Sequence, residues 1–125
     1  VLAIMGVPRM QLVESDARKC TFMREVARAT NVDVTIHTSR IEKLSGSEVV
    51  TADYISARAL AKVDQLLDWA TPFSQKNTIF LFPKGQEVDP ELQKLLKSDN
   101  SFVKKWPSRT HPDSVVLQIE RRPVK

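Results

Sequence analysis

The stretch Gln11–Arg28, QLVESDARKCTFMREVAR, constrains this chain more than any other. A short apolar run, Leu12-Val13, meets an acid, Glu14, and the polar pair Ser15-Asp16 follows. Cys20, Met23, Val26 and Ala27 then recur at helical spacing, so they share one face. Ser15 or Asp16 can cap that helix, because their side-chain oxygens accept from its orphan N–H groups. A strand therefore hands over to a helix at Glu14. An acid at the carboxyl end of a parallel strand, just before a helix, is how nucleotide-type ligands are held: its two oxygens accept from both ribose hydroxyls. Such charge-assisted bonds are worth about 1.5–3 kcal/mol each. Glu14 also suits the polar first position of a turn, and this stretch alone leaves both readings open.

The rest of the chain extends the pattern. Val1–Gly6 reads as the end of a buried helix, stopped by Gly6 and Pro8, with further chain expected ahead of it. Met10–Glu14 is the first expected strand and Asp16–Thr30 the first full helix, closed by Asn31. Val32–His37 alternates apolar and polar and is rich in β-branched residues, as a strand is. Ser39-Arg40-Ile41-Glu42 stands at its carboxyl end, and Leu44–Glu48 reads as a loop. Val49–Ser56 contains a third strand, centred on Asp53–Ser56, with Ala57-Arg58-Ala59 directly after it. Leu60, Val63, Leu66, Leu67 and Ala70 then mark an amphipathic helix that Pro72 ends. Asn77–Phe82 is nearly all apolar, as expected of a strand buried on both faces, and Pro83-Lys84-Gly85 terminates it. Pro90–Lys97 reads as a short helix capped by Asp89. Phe102–Trp106 and Ser114–Glu120 read as two strands joined by a turn over Pro107–Asp113, and Arg121–Lys125 as a basic tail.

The early alternation of strand and helix predicts an α/β domain with a largely parallel sheet. The closing pair of strands predicts an antiparallel edge on it. In such sheets ligands bind beyond the carboxyl ends of the strands. Glu14, Glu42, Arg58 and Lys84 all fall at such ends, and their convergence says more than any one of them.

At 125 residues the chain fits one domain, 1–125, with enough apolar residues (42%) to bury a core. No run of about 18 apolar residues offers a membrane span, and no signal-peptide pattern opens the chain. Cys20 is the only cysteine, which excludes an internal disulfide and a cysteine-based zinc site and fits a cytoplasmic protein. The net charge of +4 permits a phosphate-rich partner without demanding one.

Four short motifs carry a family resemblance. They are Leu12-Val13-Glu14-Ser15 with Arg18-Lys19 and Phe22-Met23; Ser39-Arg40-Ile41-Glu42; Ser56-Ala57-Arg58-Ala59 leading to Leu67-Asp68-Trp69-Ala70; and Lys84-Gly85-Gln86 after an apolar strand. In this order and spacing the chain resembles the 16S ribosomal RNA guanine-N7 methyltransferases, also called the glucose-inhibited division protein B family. The resemblance covers nearly the whole chain. It implies a class I S-adenosylmethionine-dependent methyltransferase fold, Rossmann-like, here without the first strand and glycine-rich loop, which are expected ahead of Val1. It implies methyl transfer to N7 of a guanine in 16S ribosomal RNA of the small ribosomal subunit. It assigns Glu14, Ser15, Ile41, Glu42 and Arg58 to the cofactor and gives Arg40, Arg58 and Lys84 a positioning role toward RNA. Arg109 and His111 are the nearest match to a basic or histidine element before the last strand. The sequence departs from the family in having Glu14 where Asp is usual and Pro83 before the lysine.

Guanine N7 has a free lone pair and no proton, so its methylation calls for alignment and exclusion of water rather than a proton-transfer residue. Arg and Lys are natural donors to guanine N7 and O6, and a stacked guanine has to be presented unpaired or extruded. Plainer roles stand beside these. Arg58 also suits an ion pair with Asp53 or Asp64, and Lys84 a solvated loop. Lys104-Lys105 and Arg121-Arg122 suit solvated charge or phosphate contacts. Cys20 is expected in the core, and Trp69 and Trp106 are expected there rather than as base-stacking platforms. His37 and His111 lack partners at ligand spacing, so no metal is expected. Two other functions fit the same residues: a non-catalytic ribosomal RNA-binding module derived from a methyltransferase fold, and a different nucleotide-binding α/β enzyme.

Overall fold

The computed structural model describes residues 1–44, 51–57, 63–84, 101–110 and 112–121. The chain divides into two compact units, Val1–Val49 and Val50–Lys125, each with its own sheet.

In the first unit, β1 (Met10–Glu14) and β2 (Val34–Thr38) pair in parallel, with Glu14 opposite Thr38. Helix α1 (Ala17–Ala29) connects them. Asp16, not Ser15, is its cap: the carboxylate accepts from the Arg18 N–H at 2.9 Å and from the Lys19 N–H at 3.4 Å. Asn31 closes the helix at φ 56°, a left-handed conformation that asparagine tolerates well. The expected apolar face holds: Cys20 is fully buried, and Met23, Val26 and Ala27 are half-buried.

The opening residues differ from expectation. Leu2–Gly6 is a run of turns rather than the end of a buried helix. Amides of Met5 and Val7 bond back to the carbonyls of Val1 and Leu2, and Val1, Leu2, Ile4 and Met5 are exposed. Gly6, at φ +108°, stops the turns where the sequence placed a stop.

The second unit holds β3 (Tyr54–Ser56), α2 (Val63–Ala70), a 3₁₀ turn at Thr71–Phe73, β4 (Ile79–Lys84), β5 (Ser101–Pro107) and β6 (Val115–Arg121). The sheet order is β3-β4-β6-β5. β3 runs parallel to β4, whereas β6 is antiparallel to both β4 and β5. The α/β class, the parallel pairs and the antiparallel edge are as the sequence led us to expect. One face of the sheet meets α2: Leu66, Leu67 and Ala70 pack with Phe80, Phe82, Leu117 and Ile119, and Ile55, Trp69, Val103 and Val115 close around them. Thr78 is the buried polar residue among those described. It donates to the Ala52 carbonyl at 2.6 Å and accepts from the Gln75 N–H at 2.8 Å, so its burial is compensated.

Two expectations about β4 change. Pro83 lies inside the strand instead of ending it, in register with Val116. β4 also alternates: Phe80 and Phe82 are buried, but Ile79 and Leu81 are only half-buried. Its opposite face is therefore not a second dry core.

The remainder of the loop expected over Leu44–Glu48, the helix expected over Pro90–Lys97 with its cap Asp89, and Leu60, Arg58, Gly85, Gln86 and His111 lie outside the described residues, as do residues 122–125. Among the described residues no helix is long and apolar enough to cross a membrane.

Candidate functional site

The parallel pairing of β1 and β2 puts their carboxyl ends side by side. The Ser39 N–H donates to the Glu14 carbonyl at 2.9 Å, continuing the ladder one residue past the strands. Helix α1 is tied to the same point, since Cys20 Sγ donates to that carbonyl at 3.4 Å. The buried cysteine thus belongs to the core, as expected, and helps fix where β1 ends. Backbone geometry, not side-chain length alone, sets the position of Glu14.

The Glu14 carboxylate is partly engaged. Oε2 accepts from the Ser15 N–H at 2.8 Å, and Oε1 lies 3.7 Å from Lys19 Nζ. The side chain retains 31% exposure, so the carboxylate also faces solvent. A carboxylate has about four acceptor sites, so these contacts leave capacity for a ligand's hydroxyls. Ser15 contributes its backbone N–H here; its side chain is exposed.

Past β2, Arg40 leads into a 3₁₀ turn, Ile41–Lys43. The turn presents Ile41 half-buried and Glu42 exposed. Arg40 Nη1 lies 3.8 Å from Glu42 Oε1, a surface pair that holds both side chains near the strand end. Thr38, the last residue of β2, accepts from Arg24 Nη2 of α1 at 3.1 Å. His37 bonds across the ladder to Gln11 Oε1 at 3.2 Å.

Glu14, Ser15, Arg40, Ile41 and Glu42 therefore gather at one end of the first unit's sheet. Lys84 belongs to the second unit, at the carboxyl end of β4 opposite Val115. Asp53 accepts from Gln75 Nε2 at 3.1 Å; its suggested partner Arg58 lies outside the described residues. Arg109 is exposed in the turn between β5 and β6. Lys19 had no role assigned from the sequence, yet it faces Glu14. The signal was legible: Lys19 sits in the first turn beyond the Asp16 cap, on the side of the helix that faces back toward the strand end.

Trp106 is a correction. It is not a core residue but 45% exposed, while Trp69 does pack against the core. Trp106 lies on an edge strand, on the sheet face opposite α2, where among the described residues the neighbouring strand β6 supports it.

Comparison with known proteins gives this geometry a context. Residues 1–112 match the family model described as rRNA small subunit methyltransferase G. The chain is 44% identical over 119 residues to ribosomal RNA small subunit methyltransferase G of Rhodospirillum centenum, covering 95% of this chain and 54% of the relative. It is 46% identical over 112 residues to the protein of that name in Parvibaculum lavamentivorans, covering 89% and 49%. The chain thus spans about half the length of the curated relatives it matches. Among solved structures, it resembles a ribosomal protein L11 methylase from Lactobacillus delbrueckii subsp. bulgaricus, with a TM-score of 0.71 at 19% identity over 98% of this chain and 64% of that one. It likewise resembles an rRNA methylase from Streptococcus thermophilus, with a TM-score of 0.68 at 3% identity over 92% and 74%. At such identities the likeness shows the fold alone, that of the class I methyltransferases.

Proposed function

The chain belongs to the rRNA small subunit methyltransferase G family, and from that premise we propose that it serves S-adenosylmethionine-dependent methyl transfer to N7 of a guanine in 16S ribosomal RNA, in the cytoplasm. The observation that carries the reading is Glu14: an acid fixed at the end of a parallel strand, backed by a helix and still open to solvent.

The donor set suits the cofactor. Glu14 is placed to accept from the ribose hydroxyls, and the Ser15 N–H holds the carboxylate in one orientation so that little rotamer freedom is lost on binding. Ile41 offers a half-buried apolar surface for an adenine ring, and the 3₁₀ turn at Ile41–Lys43 offers backbone groups beside it. When bound, S-adenosylmethionine supplies an electrophilic methyl group on a sulfonium. The nucleophile has a free lone pair, so no residue of this chain needs to take up a proton. The chain's task is positioning. Arg40, Arg58 and Lys84 serve it by pairing with phosphate or with the O6 edge of the guanine.

The test uses this chain and a version extended upstream to the length of its relatives. Each is incubated with small ribosomal subunits and methyl-labelled S-adenosylmethionine. The expected result is label in 16S RNA at a guanine that becomes cleavable by borohydride and aniline, the signature of N7 methylation. If the extended protein binds the cofactor but leaves the RNA unlabelled, the chain is a binding module. If label appears at a position that is not cleaved, the N7 assignment is wrong.

A further inference from the structure

Three side chains on one edge of the second unit are unexplained by the cofactor site. Phe102, Lys104 and Trp106 alternate along β5 and so share one face. Their partners across β6 are Glu120, Gln118 and Val116. This face lies opposite α2, because Val103 and its β6 partner Ile119 point into the core. Phe102 is 40% and Trp106 45% exposed.

Trp106 is exposed but not loose. Its Nε1–H donates to Gln118 Oε1 at 2.9 Å, which fixes the plane of the indole. The Lys104 ammonium sits 4.0 Å from the ring centroid. An oriented aromatic face that already holds a cation has two uses: to stack a flat ring, and to keep a positive charge beside it.

We propose that this face of the β5–β6 hairpin is a stacking platform for unpaired RNA, with Trp106 carrying a base and Lys104 pairing with the adjacent phosphate. The choice of RNA rests on the ribosomal RNA reading above; the platform itself rests on the hairpin's geometry. A stacking base takes the ammonium's place over the indole, and the flexible lysine stem carries the charge to the backbone. Charge supports RNA over an apolar protein segment. On the face itself Lys104 stands with Glu120, and the surrounding hairpin, residues 101–121, adds Lys105, Arg109 and Arg121 against Asp113. An apolar segment laid on this stripe would strip water from the Lys104 ammonium without replacing its partners, whereas a phosphate supplies one. The platform would add affinity for the RNA.

The experiment titrates an unstructured, mixed-sequence 12-nucleotide RNA into the chain and follows both RNA anisotropy and tryptophan emission. Binding should quench emission, and Trp106→Phe should remove most of the quench because Trp69 packs against the core. Trp106→Ala should weaken binding about 5- to 150-fold, the range for losing one base–aromatic stack. Trp106→Phe should weaken it less, since a ring remains. Lys104→Gln should reduce the salt slope by about 0.7, one phosphate contact on a single strand. Circular dichroism melts of each variant guard against loss of fold. RNA binding within twofold of wild type for Trp106→Ala overturns the proposal. So does an extended protein in which acrylamide no longer reaches Trp106 before RNA is added, because the face is then covered by protein. Failure of the extended protein to bind cofactor, with the Trp106 quench intact, would instead count against the methyltransferase reading alone.

Discussion

Replacing Glu14 by alanine should abolish most cofactor affinity while leaving the fold intact. In the structure the carboxylate accepts one short bond, from the Ser15 N–H, and stands 3.7 Å from Lys19 Nζ. The lysine side chain is 70% exposed, so that pair belongs to the class of surface ion pairs worth about 0–1 kcal/mol. The Ser15 N–H can turn to water when the carboxylate is gone. The loss of folding stability should therefore stay below about 1 kcal/mol. The cofactor loses two charged hydrogen bonds. Partial exposure argues for the low end of their range, about 1.5 kcal/mol each, which together weaken binding about 150-fold. Glu14→Gln keeps an acceptor oxygen without the charge and should cost about half of that free energy, near tenfold. Calorimetric titration of S-adenosylmethionine into the extended protein reads the affinity, and urea unfolding reads the stability. The reasoning is refuted if Glu14→Ala binds within threefold of wild type. It is equally refuted if the variant loses affinity only because it unfolds, with a stability loss above about 2 kcal/mol.

Other outcomes follow from the packing. Asp16→Ala removes the α1 cap and should cost about 1 kcal/mol in urea unfolding, with Asp16→Asn recovering most of it. Thr78→Val keeps the shape but leaves the Ala52 carbonyl and the Gln75 N–H without their buried partner, and should cost about 1–3 kcal/mol. Phe82→Ala empties a fully buried ring site, whose neighbour Phe80 has its centroid 5.9 Å away, and should cost about 3–5 kcal/mol by the same measure. Lys19→Met should change cofactor affinity less than fivefold, because the lysine contributes only a solvent-exposed pair to Glu14.

Much of the site was legible because it depends on local order. β1 ends where the apolar run meets Glu14, and α1 begins where Asp16 can cap it. Both follow from residues within one turn of each other. The apolar stripe from Cys20 to Ala27 fixed which side of α1 turns inward before any partner was known. What the helix packs against was not written locally, so the Cys20 bond to the Glu14 carbonyl could not be read from spacing alone.

The second unit shows the other side. Pro83 reads as a strand breaker, yet it lies within β4, in register with Val116. The Asn77–Phe82 run reads as doubly buried, yet only its Phe80 and Phe82 side is. Trp106 reads as core, yet it stands exposed beneath the Lys104 ammonium. By itself, then, the sequence determined the strand–helix order, the acid at the end of β1 and the inward face of each helix, because backbone periodicity and caps act over a few residues. Only the tertiary structure decided which sheet faces are covered, because burial is a property of what comes to lie against a strand, and that is set by residues far away along the chain.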